Sequence, residues 1–243
     1  MSKSLFIQSF KANWKIWLVV TLVMSLLVAQ FCAMEEGVMD LTTVIFYGIM
    51  TVIIPTIYVV VCANNLLARQ VDDGSMAYIL SSPIKRKTVT NTQIIFLAGS
   101  LFVTFLMTYL THIIVRLAVG SESLSYLQIL YLNVSSYATV LALSGICFMF
   151  SAIFNRSKYS IGSSGMISVF FILMSMMAMF GGLTPSMKLL SNFKYFTIIT
   201  LCDKSSITSG TSTWAFEALI LLAISFVTYL TGSLWFNKKK LPL

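Results

Sequence analysis

Few side chains in this chain could carry covalent or proton chemistry, and their spacing does not favour it. His112 is the single histidine; it stands in an apolar run, four residues after Thr108. An ionisable group inside a membrane segment is a functional candidate by default. With no second histidine and no acid in the same run, a hydrogen-bonded packing role is the stronger reading. Glu217 stands near the start of the last apolar run, where a carboxylate reaches water among the headgroups. Cys32, Cys62 and Cys147 fall inside apolar runs and Cys202 is left over, so neither a disulfide framework nor a metal cluster is implied. No glycine is followed by lysine, which excludes a phosphate-binding loop. HExxH and GxSxG are absent as well. Recognition and movement, rather than bond making, are the chemistry this residue set suits, and an enzyme is not expected.

Two polar patterns take the place of an active site. Thr43, Tyr47, Thr51, Pro55, Tyr58, Cys62 and Asn65 fall within about a third of a helix circumference at 100° per residue. Pro55 removes one backbone hydrogen bond and is expected to kink that helix. Such a stripe either lines a polar pathway or bonds its hydroxyls to neighbouring helices. The second pattern is the stretch from Arg69 to Lys87. Asp72 or Asp73 can cap a short helix. Gly74 follows, and Met76, Ile79 and Leu80 share one face. Pro83, after Ser82, ends the helix, and Lys85, Arg86 and Lys87 come next. This short amphipathic helix lies flat on a membrane or docks into a partner's groove. The plainer reading is a spacer loop whose positive cluster only sets topology.

The elements that position these residues are membrane spans. The chain is 58% hydrophobic and 10% charged, with mean hydropathy +0.89, where a soluble domain carries about a quarter charged residues. Six apolar runs reach the length of a bilayer crossing, at about 16–34, 41–67, 94–115, 127–154, 161–183 and 215–236. The expected fold is all-α and polytopic, with residues 1–243 forming one transmembrane domain. Met1 to Lys15 lacks the apolar core and cleavage site of a signal peptide. It places Phe6, Phe10, Trp14 and Trp17 on one face, which suits a helix lying in the interface. Thr184 to Trp214, with an apolar run too short to cross, is expected to form short helices that dip back or cap the bundle. In the fifth span, Ser164, Ser168, Ser175, Ala178 and Gly182 make a small-residue face, for packing within one subunit or against another. Met166, Met174, Met176, Met177 and Met179 crowd the same span, as an adaptable wall or as gap fillers.

Six spans put both termini on one side. That side's tails and loops hold 12 of the 16 Lys and Arg; the other loops hold Arg116, Lys188, Lys194 and Lys204. The basic side is expected to be cytoplasmic. The net charge of +8 follows the same distribution and points to no nucleic acid.

The run from Asp72-Asp73-Gly74 through Ser75-Met76-Ala77-Tyr78-Ile79-Leu80 to Ser81-Ser82-Pro83-Ile84-Lys85-Arg86 resembles the first cytoplasmic loop of ABC-2 type permeases. These are the membrane subunits of one class of ATP-binding-cassette exporter. The six-span layout, the basic N-terminal helix and the structured last outer loop resemble that family too. The chain departs from it with Asp72-Asp73 in place of Glu-Arg, and Gln93 in place of a lysine. The resemblance implies half of a transmembrane dimer, beside a second permease chain of the same or a related kind, in the cell membrane of a bacterium. Two copies of a separate ATPase, which holds ATP and Mg, would dock under Asp72 to Pro83, the coupling helix. Lys85 and Arg86 belong to the same contact. This chain would bind no cofactor itself. Spans two and five would border the pathway. An ion-coupled secondary transporter is disfavoured, because His112 and Glu217 are the plausible titrating groups in the spans and no internal repeat is visible. A non-transporting membrane scaffold is the other alternative.

Overall fold

The computed structural model describes residues 2–33, 42–81, 84–120, 124–183, 185–202, 204–208 and 213–239, without the side chains at 42–44, 182, 183, 185–189, 205 and 208. Among the described residues six helices are long and apolar enough to cross a membrane: Lys3–Ala33, Ile45–Asp72, Arg86–Val119, Tyr126–Ile153, Ser157–Gly181 and Thr213–Lys238. Among the described residues there is no strand. The architecture is that of an all-α, multi-pass membrane protein.

The first helix, α1 (Lys3–Ala33), departs from expectation, because no break separates an interfacial helix from the first span. One buried stripe, Leu5, Ser9, Asn13, Val20, Met24, Val28 and Cys32, recurs along its whole length. The same face therefore packs on the bundle from end to end. At 1.5 Å per residue, α1 is about 46 Å long and extends well beyond the ~30 Å hydrocarbon layer. Phe10 and Trp14 stay exposed. Phe6 instead packs edge-on against Phe96, centroids 5.5 Å apart, and Trp17 Nε1 donates to Ser100 O at 3.0 Å.

Span two, α2, is π-helical over Thr42–Met50 and α-helical over Thr51–Leu66, with Pro55 inside the α-helical part. The α pattern begins at Thr51, whose carbonyl the Pro55 ring crowds and leaves without an N–H. The helix breaks at Leu67 (φ −127°, ψ −67°). Two short helices follow, α3 (Ala68–Asp72) and α4 (Ser75–Ser81), joined through Gly74 at φ 72°. Only a residue free of Cβ strain takes that left-handed turn at no cost.

Span three, α5 (Arg86–Val119), starts eight residues earlier than its apolar run, because Thr90, Thr92 and Gln93 are buried and hydrogen-bonded rather than looped out. It ends at left-handed Gly120. Span four, α6 (Tyr126–Ile153), is the most enclosed of the six. Its start is capped reciprocally, with Ser125 N donating to Gln128 Oε1 at 2.9 Å. Small residues let its neighbours approach. A Cβ at Gly145 would run into Thr228 Oγ1 of the last helix, and one at Gly232 would sit 3.1 Å from Met149 Cα. Span five is α7 (Ser157–Leu183). The 3₁₀ segments Pro185–Phe196 and Ile199–Leu201 and the helix α8 (Lys204–Thr208) follow, so the long connection is built of short helical pieces. Span six is α9 (Thr213–Lys238).

The chain's two ends meet at one end of the bundle. Ser2 N donates to Thr92 Oγ1 (3.1 Å), and Arg86 Nη1 donates to Lys239 O (2.8 Å). Lys239 Nζ donates to Ala152 O (3.0 Å) and Ile153 O (2.6 Å), closing the C-terminal turn of α6 with a cation. Burial there lowers the Lys239 amine to about 8.

Candidate functional site

The break at Leu67 frees backbone groups in an apolar setting, where each unsatisfied group is costly. Side chains from other helices satisfy them. Gln93 Nε2 of α5 donates to Leu66 O. Ser151 Oγ of α6 accepts from Ala68 N (3.1 Å) and donates to Ala63 O (2.7 Å). Gln93 Nε2 also reaches Gln70 Oε1 at 3.3 Å.

From this point polar links run to two more helices. Toward α1, Arg69 Nη1 donates to Asn65 Oδ1 (3.3 Å), Asn65 Nδ2 to Asn13 Oδ1 (3.0 Å), and Asn13 Nδ2 to Ser9 O (3.0 Å). Toward α7, Asn64 Nδ2 donates to Ser157 Oγ (2.8 Å), and Ser157 N donates to Asp72 Oδ2 (3.0 Å). The end of span two is thus a hub that touches α1, α5, α6 and α7 at once.

The expected coupling residues fall around this hub, with two corrections. Neither Asp72 nor Asp73 caps α4, whose first turn holds no acid. The left-handed turn at Gly74 puts both acids at the end of α3 instead. Asp72 there caps α7, and Asp73 pairs with Arg69 Nε at 3.4 Å, both side chains about 60% exposed (59% and 62%). The apolar face of α4 is not free either. Met76 is wholly buried, and Ile79 and Leu80 pack against this chain's own core. Tyr78, on the other side of α4, is 83% exposed. Lys85 and Lys87 are exposed and Arg86 is half-buried. Ser82 and Pro83 lie outside the described residues.

The polar stripe of α2 faces inward in this conformation. Tyr47 OH lies 2.7 Å from His112 Nδ1 and accepts from Asn133 Nδ2 at 2.9 Å. The two rings stack 5.8 Å apart at 23°. Thr51 Oγ1 donates to Tyr47 O (2.8 Å) and Ser136 Oγ (3.4 Å). Tyr58 OH donates to Ser100 Oγ (2.7 Å) and accepts from Cys62 Sγ (3.5 Å). Pro55 is buried and Asn65 is half-buried; the Thr43 side chain lies outside the described residues. Lys204 of α8 reaches into the same cluster, with Nζ donating to Tyr47 O and, at 3.4 Å, to Thr51 Oγ1. Enclosure of that amine lowers it to about 8, against a smaller opposing pull from the Cys202 thiol. Burial in turn pushes the thiol up, opposed by its hydrogen bond to Ser135.

A family model described as ABC-2 family transporter protein matches residues 4–241. The chain belongs to that family. It is the permease of an ABC transporter, of the kind that works with an ATP-binding-cassette partner. No curated protein matches it in sequence.

In this ABC-2 permease the small-residue face of α7 packs within the chain. Ser164 and Ser168 are buried, and Ser168 Oγ meets Cys147 Sγ at 3.6 Å. Ser175 is half-buried, and the surroundings of Gly182 lie outside the described residues. Met166, Val169, Phe170, Leu173, Met177 and Phe180 form the bare side of α7. Reasoning from sequence missed Asn64, Gln93, Ser151 and Ser157. Their one signal was polarity at the margins of apolar runs. It also missed Lys204, for which no sequence signal existed.

Proposed function

We propose that this permease works as a pair of chains, the same or related, and that two ATPase subunits dock on α3 and α4 at a cytoplasmic face and drive export. The observation that carries the reading is Tyr78. A large aromatic ring stands 83% exposed on a helix whose other large apolar residues are packed inward. Tyr is among the residue types enriched at hot spots, and Arg69, Asp73 and Lys85 are exposed on the same stretch of chain. The 12 basic residues on this side support a cytoplasmic setting, where ATP is available. ATP and Mg belong to the partner in this reading, and the whole assembly sits in a bacterial cell membrane. The stripe Thr43, Tyr47, Thr51, Pro55, Tyr58 and Asn65 borders the pathway once α2 parts from α5 and α6. The bare apolar side of α7, with Ile57 of α2, suits a greasy substrate better than an ion.

Purification from native membranes, with mass spectrometry of what accompanies the chain, tests the docking. The native permease brings down an ATPase carrying a phosphate loop. Tyr78→Ala weakens that association on the order of 30-fold or more, as loss of a hot spot worth at least about 2 kcal/mol requires. Full association of the Tyr78→Ala protein, or no ATPase with the native one, refutes the reading.

A further inference from the structure

We propose that Asp72 is the positioning residue that passes movement of α3 and α4 into α7, by holding the first N–H of that helix. The proposal rests on the docking reading above. The opening N–H groups of a helix have no partner within it and carry partial positive charge, so a carboxylate is their strongest acceptor. Asp72 Oδ2 takes the N–H of Ser157 at 3.0 Å, and Asn64 Nδ2 holds the Ser157 hydroxyl at 2.8 Å. Residue 157 is thus gripped from both sides of the break at Leu67, by Asn64 before it and Asp72 after it. α7 is a rigid lever of 27 residues, about 40 Å long. It is also the least enclosed of the six spans, so few other contacts resist a pull at its start. Asp73 has a different task, since its carboxylate faces Arg69 and water. The two adjacent acids, both exposed, divide the work: Asp73 pairs with Arg69 beside it, and Asp72 holds α7.

The experiment uses the reconstituted complex with spin labels at Tyr159→Cys on α7 and Trp235→Cys on α9. Both positions are exposed, and the four native cysteines are buried. The distance between the labels is measured without nucleotide and after trapping with ATP and vanadate, alongside ATPase pull-down. In the parent protein ATP shifts the distance. Asp72→Ala lowers the ATP-shifted population, counted per bound ATPase, on the order of tenfold, a usual size for lost coupling. Ser157→Pro deletes the same bond from the donor side, at a helix position where proline is tolerated, together with the hydroxyl that Asn64 holds, and gives at least the same loss. Adding Asp72→Ala to Ser157→Pro changes nothing further, because the Asp72 bond is already gone in the proline variant. Asp72→Asn, which still offers an acceptor oxygen, keeps most of the shift. If Asp72→Ala does not fold, the Ser157→Pro and Asp72→Asn pair decides. A normal shift in Asp72→Ala or Ser157→Pro, no shift in the parent, or loss of ATPase recruitment in Asp72→Ala overturns the proposal. The last outcome would make Asp72 a docking residue. A Tyr78→Ala protein that still recruits ATPase would instead fault the docking reading and leave this joint standing.

Discussion

Gln93→Met tests whether the break in span two is held from outside. The two side chains are close in length and shape, so the change removes donor and acceptor without opening a large cavity. It strips Leu66 O of its side-chain donor and ends the link to Gln70. Gln93 is 1% exposed, so little water reaches the abandoned carbonyl. Leaving a buried acceptor unsatisfied costs about 1–3 kcal/mol. For a chain of this size about 2 kcal/mol corresponds to a fall of about 4–8 °C in Tm. Thermal unfolding in detergent measures it, with Gln8→Met as the control, since Gln8 is exposed on α1 and such changes stay within about 0.5 kcal/mol. Ser151→Ala, which strands Ala68 N, destabilises similarly, and the double variant is non-additive because both residues hold one break. If Gln93→Met unfolds where Gln8→Met does, the break is intrinsic to residues 66–68, and the account of its support by α5 and α6 is wrong.

Two further outcomes follow from packing and charge. Gly145→Ala drives a Cβ into Thr228 and parts α6 from α9, which costs about 1–3 kcal/mol as overpacking does and lowers Tm. Gly99→Ala, whose Cβ meets nothing within 4 Å, is neutral or stabilises by up to about 1 kcal/mol. Equal effects at the two glycines in thermal unfolding would contradict the packing described. Lys204 has a folded-state amine lowered by burial to about 8, against 10.5 when unfolded. Over that window the unfolded chain binds more protons, so stability rises as pH climbs from about 8 to 10.5, and below 8 the cost of burying the cation is fully present. Denaturation followed from pH 7 to 10.5 should show this rise, and Lys204→Met should reduce it to the part that Lys239, lowered likewise, contributes. A rise of the same size in the variant assigns the titration to another group.

Hydropathy made the six spans legible, because a bilayer demands length and apolarity in every residue window, and both are properties of a sequence stretch. The run from Asp72 to Arg86 was enough to suggest the family that residues 4–241 match. Periodicity also found the polar stripe of α2, yet it could not say what the stripe faces. Tyr47, Thr51 and Tyr58 lie against His112, Ser136 and Ser100, each far away in the chain. The face of Met76, Ile79 and Leu80 was real, but a helical repeat specifies only that three residues share a side. Whether that side turns to a partner or to the chain's own core depends on the turn at Gly74.

The sequence by itself determined how many times the chain crosses, where its basic residues concentrate, and that it carries no phosphate loop, because each depends on residues close together in the chain. Only the tertiary structure decided that α1 is unbroken, that Asp72 caps α7 rather than α4, and that Lys204 closes on the π-helical turns of α2. Each of these is a hydrogen bond or a packed face between residues tens to more than a hundred positions apart. A carboxylate or an amine has several N–H groups or carbonyls within its chemical reach, and only the packing of helices selects which of them comes within 3 Å.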